Sequence, residues 1–379
     1  MTQPAMREDG PLVAVSGLRK SFSTRSPLAW LGRRAGHAPS ELVAVNDVSF
    51  EIRRGEILGL AGESGCGKST TGEMLVRLQL PTGGEVQFDG VDVTSLRGAA
   101  LKRFRRDVQM VFQDPYESLN PRSNVFDTVA EALRVHRIGT ASEQLARVVE
   151  TLEEAELRPA LDYLARYPHE LSGGQRQRLA IARAMVLKPK FVVADEPVSM
   201  LDVSVRAGIL NLLKRFQAER GLTMLYVSHD LSTVKYLSQR MATMYLGHLV
   251  EIAPTRVMPR EALHPYTRAL FAAVPRARPG HRRAPVPIEG DLARDDERSV
   301  GCAFASRCPY AMPVCTEVRP RLLEYAHDHA VACHLFHDED GRRLDVSPFD
   351  AAPVVTTQPD SVHGARRSER ISGGHHDAT

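Results

Sequence analysis

Long apolar runs are missing from this chain. Its longest, such as Phe191 to Ala194, are of strand length, far short of the roughly 20 residues a membrane-crossing helix needs. The N-terminus, Met1 to Pro11, has no apolar signal core and carries Arg7, Glu8 and Asp9, which argues against a secretory leader. Strong net charge is lacking too: 49 Lys and Arg against 46 Asp and Glu leave +3, too little to point to nucleic acid. These absences predict a cytoplasmic protein with no span of its own. Tryptophan occurs once, at Trp30, and cysteine five times. Cys66 stands alone, whereas Cys302, Cys308, Cys315 and Cys333 crowd one short segment. In a reducing compartment disulfides are disfavoured, so the cluster calls for a metal or for no role at all.

With 379 residues the chain is longer than one ordinary domain. Residues 12–17 and 42–51 read as strands, separated by an insertion over about 23–40 that holds Trp30. Further apolar strands are expected at 57–61, 108–112, 191–195, 222–227, 241–246 and 248–252, with a hairpin arm at 85–88. Thr140-Ala-Ser-Glu143 has the form of a capping box, followed at helical spacing by Leu145, Val148, Val149 and Leu152. A helix from about Gln175 to Leu187 ends before Pro189, and another buries Val205, Ile209, Leu212, Leu213 and Phe216. Alternating strands and helices predict an α/β fold, a mostly parallel sheet covered by helices. A helical insertion over about 114–185 interrupts it. Residues 275–287 read as a Pro- and Arg-rich linker, and 338–379 as a disordered tail.

The chemistry concentrates in a few segments. Gly62-Glu63-Ser64-Gly65-Cys66-Gly67-Lys68-Ser69-Thr70 matches the phosphate-loop pattern between a buried strand and a helix. Its backbone N–H groups would wrap a β-phosphate, Lys68 would reach the β/γ oxygens, and Ser69 would hold Mg²⁺. Cys66 reads as a small residue within that loop. Asp195 ends an apolar strand and suits a Mg²⁺-bound water, while Glu196 is placed to orient or deprotonate an attacking water. Gln113 ends another strand and suits Mg²⁺ or the water; His229 suits the γ-phosphate. Phe22 suits stacking on adenine or a plain core role. Leu171-Ser172-Gly173-Gly174-Gln175 is a glycine turn before a helix, a weak anion site by itself. Ser199 to Asp202 lies just past the acids.

In this order, Gly62–Thr70, Gln113, Leu171–Gln175, Asp195-Glu196, Asp202 and His229 resemble the nucleotide-binding subunit of an ABC transporter over residues 12–252. The resemblance implies a P-loop NTPase fold with a RecA-like parallel core, an antiparallel β subdomain and a helical subdomain. It divides the chain into a tail (1–11), a nucleotide-binding domain (12–254), a C-terminal region (255–337) and the tail beyond. It also implies that two subunits pair head to tail, so that Ser172 and Gly174 act on the partner's ATP and Asp202 lies at the subunit contact. Phe112 to Pro121, Tyr167-Pro-His-Glu170 and His264-Pro265-Tyr266 resemble the dipeptide/oligopeptide/nickel importers. The segment Trp30-Leu-Gly-Arg resembles their F-type subunit. A D-type ATPase partner, two membrane permeases and an external solute-binding protein are then implied, with this chain peripheral on the cytoplasmic face of the plasma membrane. Met200 stands where alanine is usual. ATP hydrolysis would drive uptake of di- and oligopeptides, or of nickel or another small solute. A soluble ABC ATPase acting on nucleic acid or ribosomes is the rival, disfavoured by the single cassette and the lack of heptads.

The spacing Cys302-x5-Cys308-Pro-x5-Cys315-x17-Cys333 resembles the C-terminal region of peptide-importer subunits. Some relatives there are implied to hold a 4Fe–4S cluster. Zinc is the alternative, and unligated thiols a third.

Overall fold

The computed structural model describes residues 10–23, 41–274, 300–338 and 340–344. The tail up to residue 9, the insertion from 24 to 40, the linker 275–287 and the chain from 345 onward lie outside the described residues.

The chain opens with β1 (Val13–Ser23), β2 (Glu41–Ile52) and β3 (Ile57–Ala61), followed by α1 (Lys68–Leu75). The hairpin β4 (Gly83–Phe88) and β5 (Val91–Asp92) then leads through α2 (Gly98–Asp107) to β6 (Val108–Val111). Helices dominate next: α3 (Pro115–Ser118), α4 (Val125–His136), α5 (Ala141–Glu154) and α6 (Gly173–Met185). The core resumes with β7 (Phe191–Asp195), α7 (Val203–Arg220), β8 (Thr223–Ser228), α8 (Leu231–Leu237), β9 (Arg240–Tyr245) and β10 (His248–Pro254). The C-terminal region adds α9 (Met258–Glu261), α10 (Pro265–Ala273), α11 (Pro313–Glu317), β11 (Leu323–Ala326) and β12 (His329–Val331).

Two sheets result. One is antiparallel, in the order β2-β1-β4-β5; the other runs β11-β12-β10-β9-β3-β8-β7-β6. Within the second, β9, β3, β8, β7 and β6 are parallel neighbours. Every residue of β3, β7 and β8 is buried, because α6, α7 and α8 cover one face while α1 and the antiparallel sheet cover the other. The parallel strands all deliver their C-terminal ends to one edge, the place where α/β sheets build their sites.

Local signals set the helices. In α5 the Thr140 N–H donates to Glu143 Oε2 at 2.7 Å, one half of a capping box. Val148 and Leu152 are buried beneath it, but Leu145, expected on the same stripe, remains 42% exposed. The α6 helix starts at Gly173, two residues ahead of the position expected from sequence, because Ser172 caps it: Ser172 Oγ accepts the Gln175 N–H at 3.3 Å, and Gln175 Oε1 accepts the Ser172 N–H at 2.9 Å. On α7, Ile209, Leu212, Leu213 and Phe216 are buried as their spacing predicts and Leu210 joins them, whereas Val205, expected on the same stripe, is only half-buried.

The C-terminal region is part of the second sheet, which the sequence did not suggest. The pairing of β12 with β10 is antiparallel, and a buried polar cluster holds it. Glu251 on β10 is fully buried. Its carboxylate accepts the Leu263 N–H at 2.7 Å and the His264 N–H at 3.0 Å, and lies 2.7 Å from His329 Nε2 on β12. Where disorder was expected from 338, the chain instead turns back, and Leu344 N–H donates to the Phe336 carbonyl at 2.8 Å. Among the described residues no helix is long and apolar enough to cross a membrane.

Candidate functional site

The phosphate loop follows the buried strand β3. Gly67 adopts φ 100°, and a Cβ there would lie 2.2 Å from the Ala44 carbonyl oxygen, so only glycine lets the loop pass this close to β2. Lys68 is 4% exposed. Its ammonium donates to the Gly62 carbonyl at 2.9 Å and the Glu63 carbonyl at 2.8 Å. Cys66 is buried, and burial pushes its thiol up against the pull of Lys68, which suits a packed small residue rather than a nucleophile. Gly62–Gly65, Gly67–Thr70, Gln113, Glu196 and His229 line one cleft of about 600 Å³. A larger hollow of about 700 Å³ lies away from it, against β4 and α2. Among its described lining residues the one acid on the β4–β5 hairpin, Asp89, is paired with both Arg54 and Lys190, and they include neither the grouped acids nor the phosphate loop of the first cleft.

Three strand ends bring polar groups to the cleft. Asp195 Oδ1, at the end of β7, accepts from Ser69 Oγ at 3.2 Å. Burial pushes the Asp195 carboxyl up to about 6; the Ser69 hydroxyl opposes this, and Glu196 and Glu73 add to it. Glu196 has φ 43°, a left-handed conformation that costs a non-glycine residue about 1–3 kcal/mol. It aims the carboxylate back over the cleft. There Glu196 Oε2 accepts from Gln113 Nε2 at 3.3 Å, and Oε1 lies 2.9 Å from His229 Nδ1. A carboxylate held through both oxygens at the mouth of a phosphate-binding cleft can orient and deprotonate water.

The oxygen-rich group fits Mg²⁺. The Ser69 hydroxyl, the Asp195 carboxylate and the Gln113 amide oxygen are hard donors, and an adjacent cation would ionise the buried acid. Such an ion would polarise the terminal phosphate.

Other predicted residues fall elsewhere. Phe22 is half-buried on β1, with the Lys20 ammonium 5.1 Å from its ring centroid, outside the lining of the cleft. Leu171 to Gln175 also lie outside that lining. Gly174 has a packing reason of its own: a Cβ would meet Val205 Cγ1 of α7 at 2.6 Å. Asp202 is exposed at the start of α7, with its side chain making no capping bond, and Met200 beside it is exposed.

All four C-terminal cysteines are free thiols. They sit close enough that Cys302, Cys308 and Cys315 each bear electrostatically on Cys333. Burial pushes Cys302 up to about 11 and Cys308 to about 12, so with no cation bound these two thiols stay protonated. Among the described residues no group of three or more His, Cys, Asp or Glu is spaced to hold a metal ion. The expected iron–sulfur or zinc ligand set is therefore not assembled as a coordination sphere.

Contacts to the phosphate loop from the C-terminal region were missed by sequence reading. Tyr266 Oη accepts the Glu63 N–H at 3.1 Å, and Arg307 Nη1 lies 3.5 Å from Glu63 Oε2. No local pattern announces a pairing across 244 residues.

A family model described as ABC transporter matches residues 45–199. A second, for the oligopeptide/dipeptide transporter C-terminal region, matches residues 250–315. The chain is 49% identical to the putative oligopeptide transport ATP-binding protein YkfD of Bacillus subtilis, over 87% of this chain and 97% of that one. It is 43% identical to the oligopeptide transport ATP-binding protein AppF of the same organism, over 86% and 97%. Among solved structures, the ATP-binding cassette MJ0796, a post-hydrolysis dimer bound to ADP and Pi, superposes with a TM-score of 0.56 at 30% identity. That match covers 64% of this chain and 99% of the cassette. The chain thus belongs to the ABC transporter family, as an ATP-hydrolysing subunit that carries the oligopeptide/dipeptide transporter C-terminal region.

Proposed function

We propose that this chain energises the uptake of di- and oligopeptides, working on the cytoplasmic face of the plasma membrane beneath two permease subunits and paired with a D-type ATPase. The observation that carries the reading is the Glu196 carboxylate, held by Gln113 and His229 at the lip of the phosphate-loop cleft. The loop N–H groups and Lys68 bind the phosphates, and Ser69, Gln113 and Asp195 hold Mg²⁺. Glu196 takes the proton of the attacking water. His229 contacts the terminal phosphate. Ser172 and Gly174 complete the partner's ATP site, and Asp202 meets the partner beside them. Phe22 supports the adenine.

Peptide cargo is supported by the C-terminal region match and by the relatives that are oligopeptide transport ATP-binding proteins. A 4Fe–4S cluster on Cys302, Cys308, Cys315 and Cys333, or zinc in its place, is supported only by resemblance and by the closeness of the four thiols. Anaerobically purified protein lacking iron, acid-labile sulfide and zinc would end that part of the reading.

The function is tested by co-expressing the chain with its neighbouring permease and ATPase genes and assaying ATP-dependent peptide uptake in proteoliposomes. Co-purification with the permeases and uptake that stops when ATP is omitted are expected. A chain that assembles with no permease, or a complex that accumulates no peptide, overturns the proposal.

A further inference from the structure

We propose that Arg307 and Tyr266, both in the C-terminal region, are positioning residues of the phosphate loop that act through Glu63. The inference rests on the reading of that loop as the ATP site. Three side chains bond to Glu63. Its N–H donates to Tyr266 Oη at 3.1 Å, its carbonyl accepts from the Lys68 ammonium at 2.8 Å, and its carboxylate pairs with Arg307 Nη1 at 3.5 Å. Glu63 also stands at the start of the loop's exposed tip. Gly62 before it is packed so tightly that a Cβ would lie 2.3 Å from the Met244 carbonyl oxygen. Ser64 and Gly65 after it are exposed. Where Glu63 is held therefore sets where the following N–H groups point and how far Lys68 must travel to reach a phosphate.

The holding side is rigid. Tyr266 is fully buried, and Phe304 is 1% exposed. The Phe304 ring meets Tyr245 edge-on at 5.2 Å and Tyr266 at 5.5 Å, and the two tyrosine rings are 4.6 Å apart. Arg307 sits on the turn Ala305–Arg307 that follows Phe304, and its side chain is 8% exposed. The guanidinium also donates to Tyr245 Oη at 3.1 Å. A charge so desolvated holds its carboxylate partner far more firmly than a surface pair would. The same turn lies between Cys302 and Cys308, so the cysteine segment meets the phosphate loop through Arg307 and, by way of Phe304, through Tyr266.

The competing explanation is that Arg307 merely staples the C-terminal region to β9 through Tyr245. Titration calorimetry of ATP on the full-length chain separates the two. Lys68→Ala should abolish binding; if it does not, the ATP-site reading itself fails. Given that control, Arg307→Gln and Glu63→Gln should each weaken ATP about tenfold, the size of one charge-assisted hydrogen bond. The double variant should be no weaker than either single one, and Arg307→Lys should recover part of the loss. Tyr266→Phe, which removes the acceptor of the Glu63 N–H, should weaken ATP in the same direction. Tyr245→Phe, which cuts the staple and spares Glu63, should bind ATP as the unmodified chain does. Wild-type affinity in Arg307→Gln, multiplicative losses in the double variant, or an equal loss in Tyr245→Phe would overturn the proposal. Should Arg307→Gln fail to fold, Glu63→Gln alone and combined with Arg307→Lys decide on the same criterion.

Discussion

His229 Nδ1 stands 2.9 Å from Glu196 Oε1, a contact between residues delivered by the ends of two neighbouring parallel strands. The other oxygen of Glu196 is held by Gln113. Glu196→Gln keeps the shape of this arrangement and removes the base. ATP turnover of the assembled transporter should fall by about 10²–10⁴-fold, the usual contribution of a positioned base, while ATP binding persists. His229→Ala should lose less, because Gln113 still holds one oxygen. Steady-state hydrolysis with the opposite ranking would reassign the base.

Asp195 sets function against stability. Its carboxyl is pushed from 3.8 up to about 6 by burial, so the folded chain binds this proton more tightly than the unfolded one. The group's stabilising contribution is then complete below about pH 4 and is lost as pH rises through about 6. A shift of that size corresponds to at most roughly 3 kcal/mol. In metal-free buffer, Asp195→Asn should raise the Tm at pH 8, match the unmodified chain near pH 4, and eliminate Mg²⁺-dependent hydrolysis. An unchanged Tm difference across that range would refute the linkage.

The close packing of Gly174 can be separated from its proposed part in the partner's ATP site. A Cβ there would press on Val205 at 2.6 Å, and overpacking of this kind costs about 1–3 kcal/mol. Gly174→Ala should lower the Tm, and adding Val205→Ala should restore it. If the turn also serves the partner's ATP, hydrolysis by the assembled complex stays low in the double variant. Recovery of both together would reduce Gly174 to a packing residue.

His329 and Glu251 form the buried polar tie between β12 and β10. Removing one member of such a pair strands the other and costs about 3–5 kcal/mol. His329→Ala should therefore lose amide-exchange protection over residues 323–331 before the parallel strands lose theirs. Uniform loss of protection would place the tie in the global core instead.

The parallel core was legible because strands buried on both faces advertise themselves as unbroken apolar runs, as Phe191 to Ala194 do. The phosphate loop was legible because its geometry demands glycines at fixed spacing. The starts of α5 and α6 were written in their caps, Thr140 with Glu143 and Ser172 with Gln175, although the Gly173 start was placed late. What could not be read were partners distant in sequence. The four cysteines drew attention by their chemistry, yet the side chains that reach the ATP site from that segment are Arg307 and, through stacking, Phe304. The junction of β12 with β10 was equally hidden, since three residues such as His329–Val331 carry too short a pattern to signal a strand.

That junction has a consequence for how the protein comes to exist. Until β12 arrives, β10 ends the large sheet as a buried, mostly apolar strand with one row of backbone donors and acceptors unpaired. Such an edge recruits other chains. During synthesis the cassette is complete long before its last strands emerge, so it waits with an adhesive border. A chain cut after Pro254 would keep the whole phosphate loop and Glu196, and is expected to aggregate. The C-terminal strands act as a built-in cover, leaving as the new border only the four residues of β11.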